Sequence, residues 1–168
     1  YTRDHGPPLK RLAGRTLGLV GLGGIGRTVA ERASALGLEV VATRRDLSRP
    51  AGTIPLLPLP ELLERSDFVS LHLPLDDENA GLIGAAELAM MKPGSFLINT
   101  ARGALIDSQA LSVALDSGQL AGAALDVQDP EPPPLDAPPY NHPHVIVTPH
   151  AAFISRQSLL DLRTRASN

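Results

Sequence analysis

Between an apolar stretch and a helix-like stretch, the chain carries a glycine-rich run that leaves few folds open to it. The apolar stretch covers residues 16–21 (TLGLVG), the helix-like stretch covers residues 25–36, and Gly21, Gly23 and Gly26 follow the spacing G-x-G-x-x-G. The first glycine suits a tight turn, the second a close approach to a pyrophosphate, and the third the packing of helix on strand. This context predicts the first βα turn of a dinucleotide-binding unit.

Along the rest of the chain, short β-rich apolar runs alternate with helix-like runs, which is typical of parallel βαβ units. The apolar runs are nearly continuous, as strands are when helices cover both faces of a sheet. We therefore predict an α/β fold with a doubly wound parallel sheet, the Rossmann fold. The predicted strands are 16–21, 38–43, 67–71, 95–99, 122–127 and 145–148, and the predicted helices are 25–36, 60–65, 85–91, one from Asp107 or Ser108 and one from about Ser155.

A proline-rich segment separates the fifth and sixth predicted strands. Half of the residues from 130 to 143 (PEPPPLDAPPYNHP) are proline, and proline excludes both a helix interior and a central strand. We predict a stiff loop beside a site. A linker or a polyproline ligand for a partner is the alternative.

Charge and composition exclude several classes of partner. The chain of 168 residues has a formal net charge of −3 and no cysteine. It therefore lacks the basic surface that nucleic acid needs, and its apolar runs are shorter than the roughly 20 residues of a membrane-spanning helix. We predict one domain with no nucleic-acid or membrane partner, and a cytoplasmic location, since the absence of cysteine fits a reducing compartment.

The residues at the end of the second predicted strand indicate whether NAD or NADP is bound. An acidic residue about twenty positions after the glycines would bind the adenosine ribose hydroxyls. This chain has Thr43, Arg44 and Arg45 there, and a guanidinium can hold the 2′-phosphate of NADP through two charge-assisted hydrogen bonds. We predict that NADP is preferred over NAD. The alternative is that both arginines are solvated and Asp46 takes the acidic role.

Four runs of this sequence resemble the signature runs of the D-2-hydroxyacid dehydrogenases. They are GRTLGLVGLGGIG at 14–26, MKPGSFLINTARGALID at 91–107, LDVQDPEP at 125–132 and VTPH at 147–150. The resemblance covers nearly the whole chain, with the runs in the right order. It implies the NAD(P)-binding domain of an oxidoreductase that transfers a hydride between NAD(P)H and a small 2-oxo acid or D-2-hydroxy acid.

The same resemblance implies three catalytic residues, which are Arg102 in N-T-A-R-G, Glu131 in D-P-E-P and His150 in T-P-H. Each follows a different predicted strand at the carboxyl edge, where such sheets bind ligands. Imidazole exchanges a proton near neutral pH, so His150 is the predicted general acid in reduction, with Glu131 orienting its ring. Arg102 is predicted to hold the substrate carboxylate.

A larger set of positions is predicted to contact the cofactor, and in it Asp126 resembles the family position that binds the nicotinamide amide. Two departures from the family pattern are Asp76 and Asn79 in place of threonines, and Gln128 where an aromatic residue is frequent. The predicted cofactor set is Gly21, Gly23, Gly24, Ile25, Gly26, Thr43, Arg44, Arg45, Leu73, Pro74, Thr100, Ala101, Arg102, Asp126 and His150.

The remaining histidines are not predicted to act in the site. We interpret His72 as structural, and His5, His142 and His144 as exposed loop residues. Their spacing matches no metal-ligand pattern, so no metal is predicted.

The family's enzymes have a second, substrate-binding domain, which we expect to be absent from this chain. In this interpretation residues 1–168 form the nucleotide-binding domain, residues 1–13 lead into it, and residues 151–168 form a helix toward the substrate domain. Such a domain alone should bind cofactor but catalyse the reaction poorly, because the cleft between the two domains, which excludes water, is not formed. The alternatives are a nucleotide-sensing module like certain co-repressors, with a vestigial site, and a regulatory dimerisation domain. A homodimer is left open.

Overall fold

The computed structural model describes residues 11–158, 160 and 164, and within them six strands form one sheet. The strands are β1 Thr16–Val20, β2 Glu39–Thr43, β3 Phe68–Leu71, β4 Ser95–Asn99, β5 Leu120–Leu125 and β6 Val145–Val147. The helices are α1 Gly24–Ala35, α2 Leu59–Arg65, α3 Ala85–Met90 and α4 Ser108–Asp116, with a 3₁₀ turn at Gly103–Leu105.

All neighbouring strands are parallel, in the order β2-β1-β3-β4-β5-β6. An isolated parallel bridge between Ala42 and Leu56 extends the sheet beyond β2 by one residue. The predicted Rossmann-like parallel sheet is confirmed. Because all strands run the same way, their carboxyl ends lie along one edge, and the residues that follow them meet there.

The predicted element boundaries agree with the structure within one residue, except at the fifth strand. Residues 122–127 were expected, whereas β5 spans Leu120–Leu125. The strand begins earlier because Gly118, with φ 75°, turns the chain so that Leu120 pairs with Ser95 across a register irregularity. Its last paired residue is Leu125, although the Asp126 N–H still donates to the Asn99 carbonyl at 2.9 Å, while the Asp126 carboxylate binds the segment after β6. Of the lead-in segment and the last helix, residues 1–10, 159, 161–163 and 165–168 lie outside the described residues.

Two apolar clusters, one on each face, hold the sheet between the helices. On one face, α1 contributes Ala30 and Ala33, which pack with Leu17 and Leu19 of β1. The larger cluster on the other face joins α2, α3 and α4 to the sheet through Leu62, Leu63, Leu88, Leu97, Leu111 and Leu115. Burial on both faces explains the nearly continuous apolar strands.

Helix α1 covers only part of its face of the sheet, and the strands become more exposed on this face from β1 toward β6. One row of aligned residues crosses the whole sheet on this face. Its members are buried as far as β3 and half-buried in β4 and β5, and Ile146 on the edge strand is 68% exposed. The row consists of Ala42, Leu19, Ser70, Ile98, Ala124 and Ile146.

The connection from β5 to β6 is a series of turns, with neither helix nor strand between residues 126 and 144. The predicted loop is thus present. It is anchored by Tyr140, whose ring is buried in the larger cluster and whose hydroxyl donates to the Asp129 carbonyl at 3.3 Å. None of the helices in the described part of the chain has the length and apolar character that crossing a membrane requires.

Candidate cofactor and proton-transfer site

The glycine turn leads directly from β1 into α1. Gly21 has φ 103°, its N–H donates to the Thr43 carbonyl at 2.9 Å, and a Cβ there would overlap the His72 carbonyl. A Cβ at Gly26 would overlap the Gly21 carbonyl, so both positions require glycine.

Exposed backbone at the start of α1 is suited to an anion. Gly23 and Gly24 are exposed with open space around them, Gly23 offers no side-chain cap, and no acidic residue lies in the first turn. The first N–H groups of a helix lack intrahelical partners and attract phosphate. Ile25 is 72% exposed beside them, at a position where an apolar side chain can cover a bound nucleotide. These residues fit the pyrophosphate of a dinucleotide.

At the end of β2 the two arginines have different surroundings. Arg45 pairs with Asp76 at 2.9 Å and with Glu78 at 3.2 Å, on the exposed loop that follows β3. Arg44 has its Nε and Nη2 atoms buried, and they have no hydrogen-bond partner among the described residues. A buried guanidinium nitrogen without an acceptor is costly, so this corner is chemically suited to an anion.

Asp46 is occupied within its own turn. Its Oδ1 accepts hydrogen bonds from the Ser48 hydroxyl at 2.6 Å and the Ser48 N–H at 3.0 Å. These bonds lower the pKa of the Asp46 carboxyl. The carboxylate therefore has fewer lone pairs left for a ribose hydroxyl.

The loop after β3 is held by one of the departures from the family pattern. Asn79 is buried, donates to the Pro74 carbonyl at 2.8 Å and accepts from the Asp76 N–H at 2.9 Å. Leu73 packs against the larger apolar cluster, while Pro74 is exposed. Polar residues at these positions thus preserve the shape of a loop in which threonines are usual.

His72 lies beneath the glycine turn. Its Nε2 is 3.0 Å from the Ser70 hydroxyl, and burial lowers the pKa of the imidazole. It therefore has a hydrogen-bond partner that the sequence did not identify.

Asn99 shapes the turn that carries Arg102. It is fully buried at the end of β4, where its amide donates to the Arg102 carbonyl at 2.8 Å and its side-chain oxygen accepts from the Ala101 N–H at 3.0 Å. Thr100 and the Arg102 side chain are exposed on this turn, and Arg102 Nη1 donates to the Ala101 carbonyl at 2.6 Å. Gly103 lies so close to the Gln128 backbone that a Cβ would overlap it.

Glu131 and His150 are in direct contact. Glu131 Oε2 lies 3.0 Å from His150 Nδ1, and Glu131 Oε1 accepts the Gln128 N–H at 2.9 Å. The pKa of the Glu131 carboxyl is lowered first by the Gln128 N–H, then by His150, with a smaller contribution from the charge of Arg102. The structure therefore brings Glu131 and His150 into contact, while the Arg102 side chain lies exposed on the turn after β4 and makes its hydrogen bond to the Ala101 carbonyl. Since Nδ1 faces Glu131, Nε2 is the ring nitrogen that can exchange a proton with a ligand.

Asp126 holds the backbone around His150. Its carboxylate accepts hydrogen bonds from the Thr148 hydroxyl and, at 2.9 Å each, from the N–H groups of Ala151 and Ala152. Burial alone would raise the pKa of Asp126, but these bonds and the charge of His150 lower it. His150 has φ 50°, and its N–H donates to the Asp126 carbonyl at 2.8 Å. Asp126, which is predicted to contact the nicotinamide, thus also holds the backbone on both sides of His150.

Three residues that shape the site were not predicted to do so, namely Asn99, Gln128 and Thr148. All three stand within the signature runs, and polar residues at or just after the ends of buried strands are the signal that could have found them.

The expectation that His142 is exposed was wrong. Its side chain is 16% exposed, 3.7 Å from Asp116 and edge-on to His144, because the proline-rich loop folds back against α4. His144 is exposed as predicted, and His5 lies outside the described residues. The described residues contain no group of three or more side chains that could hold a metal ion.

A parallel sheet with a glycine turn at its first βα junction, and an edge rich in polar side chains, defines a nicotinamide-dinucleotide-binding domain. The family model described as D-isomer specific 2-hydroxyacid dehydrogenase, NAD binding domain, matches residues 1–152. The chain belongs to this family.

Two curated relatives are enzymes of about twice this length. The chain is 44% identical over 149 residues to a glyoxylate reductase of Korarchaeum cryptofilum, covering 86% of this chain and 45% of the relative. It is 41% identical over 157 residues to a glycerate dehydrogenase of Methylorubrum extorquens, covering 90% and 48%. The chain therefore spans about half the length of the curated relatives that it matches.

Solved structures confirm the fold. The TT0316 protein of Thermus thermophilus superposes with a TM-score of 0.83 at 48% identity, covering 88% of this chain and 47% of that one. A D-isomer specific 2-hydroxyacid dehydrogenase of Lactobacillus delbrueckii in its NAD-complexed form gives 0.81 at 34%, covering 95% and 55%. An acyclic imino acid reductase in complex with NADPH and D-Arg gives 0.88 at 32%, covering 98% and 53%.

Proposed function

We propose that this chain is the cofactor-binding domain of an enzyme that reduces a small 2-oxo acid to a D-2-hydroxy acid with NAD(P)H. The observation that carries the proposal is the 3.0 Å contact between His150 Nδ1 and Glu131 Oε2, with the charge of Arg102 acting on the same carboxylate. A proton donor, its orienting carboxylate and a cation for the substrate are what this reduction needs.

Each residue has a defined part in the proposed reaction. When bound along the glycine turn, the cofactor supplies the hydride. As C2 of the 2-oxo acid accepts that hydride and the carbonyl π bond breaks, His150 Nε2 gives its proton to the carbonyl oxygen. Glu131 holds Nδ1 of the cationic ring beforehand and keeps it oriented, and Arg102 binds the substrate carboxylate through its planar fork.

NADP is the proposed cofactor of preference. The support is the buried Nε and Nη2 of Arg44, which lack an acceptor that a 2′-phosphate would supply. The engagement of Asp46 by Ser48 weakens the case for an acidic ribose contact. Among the similar structures both cofactors occur, NAD in one and NADPH in another.

The substrates to test first are those of the similar enzymes. One reduces glyoxylate and one acts on glycerate, whose oxidised form is hydroxypyruvate. We propose that a second region of polypeptide closes over the sheet edge to hold such an acid, so that residues 1–168 alone bind cofactor but turn over poorly. A homodimer and a cytoplasmic location stay predictions, which light scattering and cell fractionation would test.

The direct test is turnover of the whole protein with NADPH and a panel of glyoxylate, hydroxypyruvate and pyruvate. His150→Gln should lower kcat by about 10²–10⁴-fold because the proton donor is lost, while NADPH binding, measured by fluorescence titration, is retained because the glycine turn and Arg44 are unaltered. His144→Gln is the matched control, since His144 is exposed and lies outside the site. NADPH binding without turnover in the unaltered protein would contradict the enzyme and favour a nucleotide-sensing role.

A further inference from the structure

Gln128 occupies an unusual position in the candidate site, because it touches both of the segments that carry the proton-transfer pair. The residue is 7% exposed, and its side-chain amide donates at 3.1 Å to the Leu125 carbonyl at the end of β5 and at 3.1 Å to the Thr148 carbonyl just after β6. Its backbone N–H donates to Glu131 at 2.9 Å. One buried residue thus connects both strand ends and the carboxylate.

The two carbonyls that Gln128 binds also belong to the path that leads to His150. The Leu125 carbonyl accepts the Thr148 N–H at 3.0 Å, and the Thr148 carbonyl accepts the His150 N–H at 3.0 Å. His150 itself has φ 50°, a backbone conformation that residues other than glycine rarely adopt without support. The Gln128 amide therefore reinforces the segment that holds His150 in this conformation.

An aromatic residue, which is frequent at this position in the family that the sequence resembles, has no amide to donate to two carbonyls. The cross-strand contact therefore depends on the amide, and the side chain is too deeply buried to be a solvated replacement. Its amide is bound to two backbone carbonyls of the protein. A side chain that only filled space would not need a polar group there.

We propose that Gln128 is a positioning residue, which fixes the geometry of the His150–Glu131 pair by joining the ends of β5 and β6. This inference rests on the proposed function. It adds that proton transfer depends on an amide that touches neither substrate nor cofactor. Loss of that amide loosens the pair, and a small displacement of a reacting group slows chemistry strongly.

The test is Gln128→Met in the whole protein, which keeps the length of the side chain and removes its donors. We expect kcat to fall by about tenfold or more, with the Kd for NADPH unchanged within about twofold because the glycine turn is untouched. The matched control is Gln119→Met. Gln119 donates to the Met91 carbonyl at 2.6 Å and the Leu88 carbonyl at 3.3 Å, far from the site. Its replacement therefore removes a comparable set of hydrogen bonds without affecting the His150–Glu131 pair.

A double-mutant cycle with Glu131→Gln separates positioning from a general loss of stability. If Gln128 acts through the pair, Gln128→Met has little further effect once Glu131 is replaced, since residues that act as one unit are not additive. Additive losses, or an unchanged kcat in Gln128→Met, would overturn the proposal. If Gln128→Met does not fold, Gln128→Leu removes the same donors with an apolar side chain about as large as that of methionine and must show the same non-additivity.

The outcomes also separate this inference from the function on which it rests. If His150→Gln and Glu131→Gln leave turnover intact, the proposed reaction fails. If both lower kcat strongly while Gln128→Met behaves like Gln119→Met, the reaction stands and the positioning role alone is wrong. A ¹⁵N spectrum of the His150 ring gives a readout other than turnover, because loosening the pair must change the Nδ1 resonance.

Discussion

His150 and Asp126 depend on each other more closely than their separation in the chain suggests. The left-handed backbone of a residue with a side chain costs about 1–2 kcal/mol, and at His150 it is offset by hydrogen bonds to the Asp126 carbonyl and around the Asp126 carboxylate. The position of the imidazole is therefore set by a neighbour that the sequence suggested only as a cofactor contact.

Asp126→Asn should weaken both the fold and the proposed reaction. One oxygen becomes an NH₂ group that faces a donor, which costs about 1–3 kcal/mol of unfolding free energy. Urea unfolding measures this loss, and kcat should fall with it, because the His150 segment loosens. Asp129→Asn is the control, since the Asp129 side chain is exposed in the same loop. Equal stability of the two variants would contradict the anchoring role.

The proposed cofactor preference also rests on a single residue, Arg44. We expect Arg44→Asp to weaken NADPH binding by about tenfold or more, the loss of a hydrogen-bonded charge pair, and to leave NADH binding equal or tighter. Titration of both cofactors in parallel measures the ratio. Arg49→Asp makes the same charge change on an exposed loop residue and should leave the ratio unchanged. Tighter NADH than NADPH binding in the unaltered protein would overturn the preference.

At the level of elements, what the sequence predicts depends on how local the signal is. The glycine turn, the strands and the edge that gathers Arg102, Glu131 and His150 follow from periodicity, turn residues and parallel topology. The contact of Gln128 with Thr148 does not, because it joins segments whose approach is set by the irregular proline-rich loop. The contacts of Asn99 do not either, because they depend on how one side chain is oriented within a short turn. The early start of β5 has another origin, since it follows from the turn at Gly118 and the register irregularity beside Ser95.

The start of α4 gives a prediction at this scale. Asp107 Oδ1 accepts the N–H groups of Gln109 at 2.9 Å and Ala110 at 3.0 Å, which is the N-cap of the helix. Asp107→Ala should lower the unfolding free energy by about 1 kcal/mol, and Asp107→Asn should retain most of it, because asparagine caps nearly as well. Thermal unfolding measures both. An alanine variant as stable as the asparagine variant would show that the cap contributes nothing.

In the whole molecule, the two edges of the sheet have different roles. The carboxyl edge gathers the candidate site, whereas Asp67 at the amino edge accepts the Thr16 N–H at 2.9 Å and pairs with Arg15 and Lys92 at 3.3 Å each. Burial alone would raise the pKa of Asp67, but the Thr16 N–H and the two cations lower it. This group ties together the segments before β1, β3 and β4.

Asp67→Asn should therefore reduce stability in a pH-dependent way and leave cofactor binding unchanged. Because the folded pKa lies below the unfolded value, the carboxylate contributes its stability above the unfolded pKa, near 3.8, and loses it as pH falls through the folded pKa. The difference in unfolding free energy between Asp67→Asn and the unaltered protein should be full at pH 7 and shrink below about pH 4. A difference that is constant with pH would contradict this.

The increasing exposure toward Ile146 has a consequence for how copies of this chain behave together. β6 is the outer strand, and an apolar outer strand offers unpaired backbone groups to any neighbouring copy. Its three residues lie between Pro143 and Pro149, which restrict how far such pairing can extend. At high concentration, aggregation of the isolated chain should begin at this edge strand. Ile146→Lys should suppress the aggregation without altering β2 at the opposite edge of the sheet.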